Sequence, residues 1–153
     1  MQSDRLFAMR ATPVCSPDLL LRVVPLKSPA DLANHTLLHV DWKEAEGSWR
    51  TWLLAAGATE VDPFNGPRFT KEEMAVRAAL DGKGVALIGD RMAEDHLKSG
   101  RLVCPFGTDL RTPLVFAYFL LSPSDRQTDS KIEHFRKWLI AEAIEELGAD
   151  ASP

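Results

Sequence analysis

The residues best suited to metal or redox chemistry are two cysteines and four histidines, and their spacing argues against both. Cys15 and Cys104 belong to no CxxC pair and no Cys/His cluster, so neither a zinc site nor a disulfide framework can be built on them. Each stands in an apolar, strand-like run, Pro13-Val14-Cys15 and Leu102-Val103-Cys104, where a buried free thiol is the ordinary outcome. His35, His39, His96 and His134 fall on different expected elements. The stretch Thr36-Leu37-Leu38 reads as extended and keeps His35 and His39 from sharing one helical face, so no metal is expected. Gly82-Lys83-Gly84 could pass for a phosphate loop, yet it follows a helix and precedes a strand, the reverse of the order that aims N–H groups at an anion. A turn needing positive φ explains its glycines. The GxSxG, HExxH, GxxxxGK[ST] and GxGxxG patterns are absent, so neither catalysis nor a cofactor is expected. Glu44 and Glu46, Glu72 and Glu73, and Glu142, Glu145 and Glu146 read as solvated faces or partners of helix N-termini.

The elements that would position any site alternate between helix and strand. Ser16-Pro17 and Ser28-Pro29 each place an N-cap serine before a proline at the first helical position, and short helices should start there. Thr36 to Val40 is β-prone, and Trp49, Trp52, Leu53 and Ala56 then recur at helical spacing up to Gly57. After the connection Val61 to Pro67, Thr70 and Glu73 form a capping-box pattern for a helix from about Lys71 to Leu80. Val85 to Ile88 is a glycine-bounded apolar run suited to a strand covered on both faces. Asp90 should cap a helix ending at Ser99-Gly100, Leu102 to Phe106 should be a strand, and Leu114 to Leu121 the longest one. Ser130 and Glu133 suggest a second capping box, with Ile132, Phe135, Leu139, Ala143 and Leu147 along one face of the helix that follows. Such alternation implies an α/β sandwich with a largely parallel sheet.

Composition narrows the class. A chain of 153 residues, 45% hydrophobic and 26% charged, is suited to one compact domain, and its longest greasy stretch is far too short to span a membrane. The N-terminus lacks the basic cap and apolar core of a secretory signal, so a cytoplasmic location is expected. Eighteen Lys and Arg against twenty-two Asp and Glu give a net charge of -4 with no long basic run, so direct DNA binding by this chain is not expected.

Several phrases recur in fixed order along almost the whole chain. They are Thr12-Pro13-Val14-Cys15-Ser16-Pro17, Pro29-Ala30-Asp31-Leu32 with His35, and Trp49-Arg50-Thr51-Trp52-Leu53 with Gly57. Gly66-Pro67-Arg68-Phe69, Ala78-Ala79-Leu80-Asp81-Gly82-Lys83-Gly84, Gly100-Arg101-Leu102-Val103, Tyr118 with Leu120, and Phe135-Arg136-Lys137-Trp138-Leu139 complete the series. In that order they resemble the C-terminal part of the effector-binding (substrate-binding) domain of LysR-type transcriptional regulators, in the branch like the glycine-cleavage activator and the β-lactamase regulator.

The resemblance implies an α/β fold like the type 2 periplasmic binding proteins, two lobes joined by crossover strands, with the first lobe mostly missing here. Residues 1–147 would be a partial effector-binding domain: Leu6 to Cys15 the first crossover, 16–109 the second lobe, 114–121 the return crossover strand, 130–147 the C-terminal helix, and 148–153 a tail. It implies a small-molecule effector, a carboxylate or amino-acid-like compound, met by Phe69, Thr70, Lys71, Glu72 and Tyr118. The family branch often has a small hydroxyl residue where Glu72 stands, and a carboxylate there would repel an anion. The residues alone leave a plainer alternative open: Thr70 and Glu73 only cap a helix, and Phe69 is core. Function is therefore expected to be ligand sensing in transcription regulation, without the DNA-binding helix-turn-helix. The alternative is a headless remnant acting as an oligomerisation or interaction module with no ligand, and a homo-oligomer is expected through the apolar face of the last helix.

Overall fold

The computed structural model describes residues 1–41, 48–123 and 130–147, and not the side chains of 113–116 or of Leu147. Glu44, Glu46 and the tail 148–153 lie outside the described residues. Among the described residues five strands and five α-helices alternate: β1 (Gln2–Val14), α1 (Pro17–Leu20), a 3-10 helix (Pro29–Asn34), β2 (Leu37–Val40), α2 (Trp49–Ala55), β3 (Arg68–Phe69), α3 (Glu72–Leu80), β4 (Val85–Gly89), α4 (Asp90–Lys98), β5 (Thr112–Ser122) and α5 (Ser130–Leu147). Hydrogen bonds link the strands in the order β3-β2-β4-β1-β5. The sheet is mixed: β2 runs parallel to β3 and β4, whereas β1 runs antiparallel to β4 with Thr12 opposite Ile88 and Val14 opposite Ala86. The chain divides into two compact units, Arg10–Leu114, and Met1–Met9 with Val115–Pro153.

The larger unit, Arg10–Leu114, is built round β4, every residue of which is buried. One sheet face, with Val14, Leu38, Val40, Ala86 and Ile88, packs on the small residues Ala75, Val76 and Ala79 of α3 and Ala93 of α4. Small side chains let a helix approach a sheet closely, and the approach excludes water from both. Two fully buried indoles anchor α2 to their unit by their polar atoms: Trp49 Nε1 donates to the Leu38 carbonyl at 3.1 Å and Trp52 Nε1 to the Leu110 carbonyl at 3.3 Å. The early helix starts form as expected, with Ser16 and Ser28 at N-cap positions and proline next. Asp31 reinforces the second by accepting the backbone N–H groups of Lys27 and Ser28.

Four local expectations shift. Thr70 does not cap α3, because Phe69 O accepts the Asp41 N–H at 2.9 Å and holds the chain extended one residue longer; Lys71 takes the N-cap position without a side-chain bond. Gly89 precedes α4 at the N-cap, and Asp90 is the first helical residue instead. Leu102 to Phe106 makes only a single bridge, Val103 to Cys15; Pro105 has no N–H to donate, and the chain turns at Gly107 (φ +75°). Ser130 is the first residue of α5 rather than its cap, and Glu133 pairs with Arg136 and Lys137.

The smaller unit holds the first part of β1, most of β5, and α5. Its polar anchor is the two-pronged pair of Arg136 with Asp4, Nε to Oδ2 at 2.6 Å and Nη2 to Oδ1 at 2.7 Å, each side chain about one-fifth exposed. Arg136 stands in helical phase with the half-buried Ile132, Leu139 and Ala143. Phe135, expected in that stripe, is instead 55% exposed. The stripe is turned by the ion pair, which brings the guanidinium to β1 and rotates the neighbouring ring outward.

Two outcomes follow from these contacts. A Cβ on Gly66 would sit 1.9 Å from the Leu37 carbonyl oxygen, at a φ of +105° that L-residues rarely adopt. Gly66→Ala should therefore destabilise the larger unit by about 3 kcal/mol or more in urea unfolding, through strain and the forced retreat of β2. Hydrogen bonding and charge from Arg136 hold the Asp4 carboxyl below its ordinary value. Its stabilising contribution is thus present above the unfolded carboxylate range and lost as pH falls through the lower folded value. Asp4→Asn should lower the melting temperature by a few degrees, roughly, at neutral pH, and the gap to wild type should close in acid; an equal gap at both pH values would refute it.

Candidate functional site

Parallel strands in open α/β sheets leave a crevice beyond their C-terminal ends, where connecting loops diverge and backbone groups are unpaired. In the unit Arg10–Leu114 those ends are Asp41 after β2, Phe69-Thr70 at the end of β3, and Gly89-Asp90 at the end of β4. Three carboxylates gather there. Asp41 accepts from Arg68 Nε at 2.9 Å. Asp90 pairs with Arg111 at 3.5 Å and faces the Arg10 backbone N–H at the same distance. Glu72, the first residue of α3, reaches across seventeen positions to accept the backbone N–H of Gly89.

Phe69 is half-buried and packs against the α3 core cluster, so its ring supports the edge of the crevice rather than filling it. Thr70 and Lys71 are exposed. Glu72 is half-buried; desolvation pushes its carboxyl above the ordinary value, the Gly89 N–H opposes that, and the charges of Glu73 and Asp90 add to it. The structure thus brings Phe69, Thr70, Lys71 and Glu72 to one edge, as a run of neighbours must be. Tyr118 belongs to the other unit, on β5, 55% exposed and stacked on Phe7 with ring centroids 4.7 Å apart. Sequence reasoning missed the two Asp–Arg pairs. Their signal was an aspartate directly after each apolar run, Val40-Asp41 and Gly89-Asp90, with the arginines too distant in sequence to pair by inspection.

A cavity of about 190 Å³ opens beside the Asp90–Arg111 pair, lined also by Arg91, Glu94, Leu97 and Lys98. That is below the range of drug-sized sites, roughly 300–1,000 Å³, and suits only a compact ligand. The other titratable candidates are structural. His35 and His39 are buried, each with Nε2 bonded to a backbone carbonyl, of Pro25 at 2.9 Å and Asn65 at 2.7 Å. Burial pushes His39 below its ordinary value. Cys15 is a buried free thiol pushed up to about 12 by desolvation, with Cys104 adding to the rise, too high for a nucleophile at neutral pH. Gly82 sits at φ +69°, and a Cβ on Gly84 would meet the Thr36 carbonyl at 2.3 Å, so this pair makes a turn and a close approach. Among the described residues no three His, Cys, Asp or Glu side chains converge as a metal site would require, and no helix is long and apolar enough to cross a membrane.

Known proteins match this arrangement along nearly its whole length. The family model for the LysR substrate binding domain matches residues 1–143. The glycine cleavage system transcriptional activator of Escherichia coli K12 is 38% identical over 146 residues, 95% of this chain and 46% of that protein. The transcriptional activator AmpR of Rhodobacter capsulatus is 37% identical over 133 residues, 87% of this chain and 43% of that protein. Among solved structures, the effector domain of AmpR from Pseudomonas aeruginosa superposes with a TM-score of 0.71 at 31% identity, covering 95% of this chain and 66% of that one. The chain therefore spans a little under half of these curated relatives and about two thirds of that effector domain. Its mixed sheet with flanking helices is that of part of a periplasmic-binding-protein-like effector domain, its relatives are transcription regulators rather than enzymes, and the chain belongs to the LysR substrate-binding domain family.

Proposed function

We propose that this chain is the ligand-sensing part of a LysR-type transcriptional regulator, acting in the cytoplasm and binding a small carboxylate or amino-acid-like effector without catalysis. The observation that carries this reading is that the C-terminal ends of the parallel strands β2, β3 and β4 lie side by side with charged groups at each, in a family named for substrate binding. Phe69, Thr70, Lys71 and Glu72 are the proposed contacts in the larger unit. Tyr118 is a separate proposed contact, resting on the resemblance and on an exposed hydroxyl-bearing ring. In domain terms the proposal keeps 16–109 as the second lobe, 114–121 as the return crossover and 130–147 as a helix of the first lobe.

A second reading is supported by one feature of the smaller unit. Tyr118 and Phe119 alternate along β5, so they point to opposite faces, yet they are 55% and 53% exposed; Phe135 and Trp138 form an exposed ring pair on α5 with centroids 5.7 Å apart. Burying a large apolar side chain is worth roughly 1.5–3 kcal/mol, so so many uncovered rings favour an interface. We propose self-association through this unit, which a headless interaction module with no ligand would also use.

Two outcomes test these readings. Titrating the labelled chain with small amino acids and carboxylates should shift the amides of residues 69–72, and separately that of Tyr118, with dissociation constants of about 1 mM or weaker. Shifts confined to other surfaces would displace the site. In sedimentation the wild type should associate with rising concentration and Phe135→Asp should stay monomeric, because a charge on an exposed ring position blocks burial without disturbing a core. A wild type monomeric at every concentration would remove the second reading.

A further inference from the structure

In the tripeptide Gly82-Lys83-Gly84 the glycines make the turn and the close approach to Thr36, which leaves the exposed side chain of Lys83 without a structural task. Lys83 lines a cavity of about 170 Å³ together with Arg22, Asn34 and Thr36. The cavity lies at the N-terminal ends of β2 and β4, where the Val85 N–H donates to the Thr36 carbonyl at 2.9 Å. It therefore stands at the opposite end of these strands from the effector crevice. Its charge is one-sided: no carboxylate lines it, and among the described residues neither Arg22 nor Lys83 makes an ion pair, in a chain whose net charge is -4. One bond holds the Arg22 guanidinium in place, Nη2 donating to the Gly82 carbonyl at 3.0 Å, and its remaining N–H groups are uncommitted among the described residues. Ser16, almost fully buried, has an Oγ without a partner among the described residues and lies against the same turn, 3.5 Å from where a Cβ on Gly82 would stand.

We propose that Arg22 and Lys83 form a binding site for a phosphate group, free or carried as a monoester, at the end of the sheet remote from the effector crevice. A guanidinium, an ammonium, the Asn34 amide and the Thr36 hydroxyl all donate hydrogen bonds, and a compact oxyanion with several acceptor oxygens is what such a set can satisfy together. Two cations match a phosphate dianion better than the single charge of a carboxylate. The segment order that rules out a cradle of N–H groups at a helix start does not bear on a site built from side chains. Leu19 and Val24 complete the wall, so the ester side of a monoester meets apolar surface.

Inorganic phosphate and phenyl phosphate are each titrated into the full chain while its amides are followed by NMR, the wild type beside Arg22→Gln, Lys83→Gln, Lys83→Arg and the double glutamine variant. Both substituted side chains are exposed, so the variants should keep the wild-type fold, which the remaining amides check. The proposal expects saturable shifts at Arg22, Asn34, Thr36 and Lys83 with a dissociation constant of about 1 mM, weakened about fivefold by either glutamine, abolished by both and largely kept by Lys83→Arg. Phenyl phosphate binding at least as well as the free ion assigns the site to phosphate esters; phosphate binding with the ester shut out assigns it to the free ion. Shifts that grow without saturation at every exposed lysine and arginine, saturable shifts equally strong in the double variant, or shifts confined to Thr70 to Glu73 overturn the proposal, and so does a silent titration of the wild type.

Discussion

Strand β4 is hydrogen-bonded on both sides, parallel to β2 and antiparallel to β1, and it is buried along its whole length. In that setting each backbone polar group must find its partner within the protein, because an orphaned N–H or carbonyl away from water costs about as much as a lost hydrogen bond. The ladder therefore fixes β4 in one register. Once the strand is fixed its end is fixed too, and with it the turn at Gly89-Asp90 that opens α4. The Asp90–Arg111 pair and the Glu72–Gly89 bond are both referred to that one corner. The electrostatics of that corner are thus a consequence of sheet pairing, in the sense that neither the Asp90–Arg111 pair nor the Glu72–Gly89 bond could persist if β4 slipped by a residue and turned its side chains to the opposite faces.

Helix packing works to the same end. The residues that α3 and α4 press on the sheet are small, Ala75, Ala79 and Ala93, so the helix axes come close and their first turns reach the ends of the strands. A larger residue would lift the helix and with it Glu72. The two indoles on α2 act differently, since each combines full burial with a hydrogen bond to a carbonyl. They hold α2 by both surface and direction, which a purely apolar side chain cannot do.

Much of this was legible in the sequence, for reasons that differ by element. The Ser-Pro helix starts and the run Val85 to Ile88 were readable because each depends on chemistry within a few residues: a proline whose φ suits a first turn, or an apolar run bounded by glycines. The helix after Thr70 was readable as a helix but not in its first residue, because a long-range bond from Asp41 to the Phe69 carbonyl decides where the extended chain ends. Leu102 to Phe106 had the composition of a strand, and the proline in it was a local warning that the structure upheld. The face of α5 misled for an electrostatic reason. A pattern of apolar residues places Phe135 inward, whereas the two-pronged bond of Arg136 to Asp4, 132 positions away, sets the rotation of the helix.

The site itself was the least legible part, since its residues are ordinary in type and acquire meaning only from their partners. Glu72 in a sequence is a helix-start glutamate that favours the positive end of a dipole. Folded, it spends its acceptor on the end of another strand, and the dipole argument no longer describes it. The same is true of the anion-binding reading of the helix start: unpaired N–H groups at α3 are an attraction for a carboxylate only where no carboxylate of the chain is already near them. Here Glu72, Glu73 and Asp90 stand close by, and their charges oppose the attraction that a bare helix end would exert on an anion. The side chain at the start of α3 is therefore one whose place in the fold a helix-start reading does not describe.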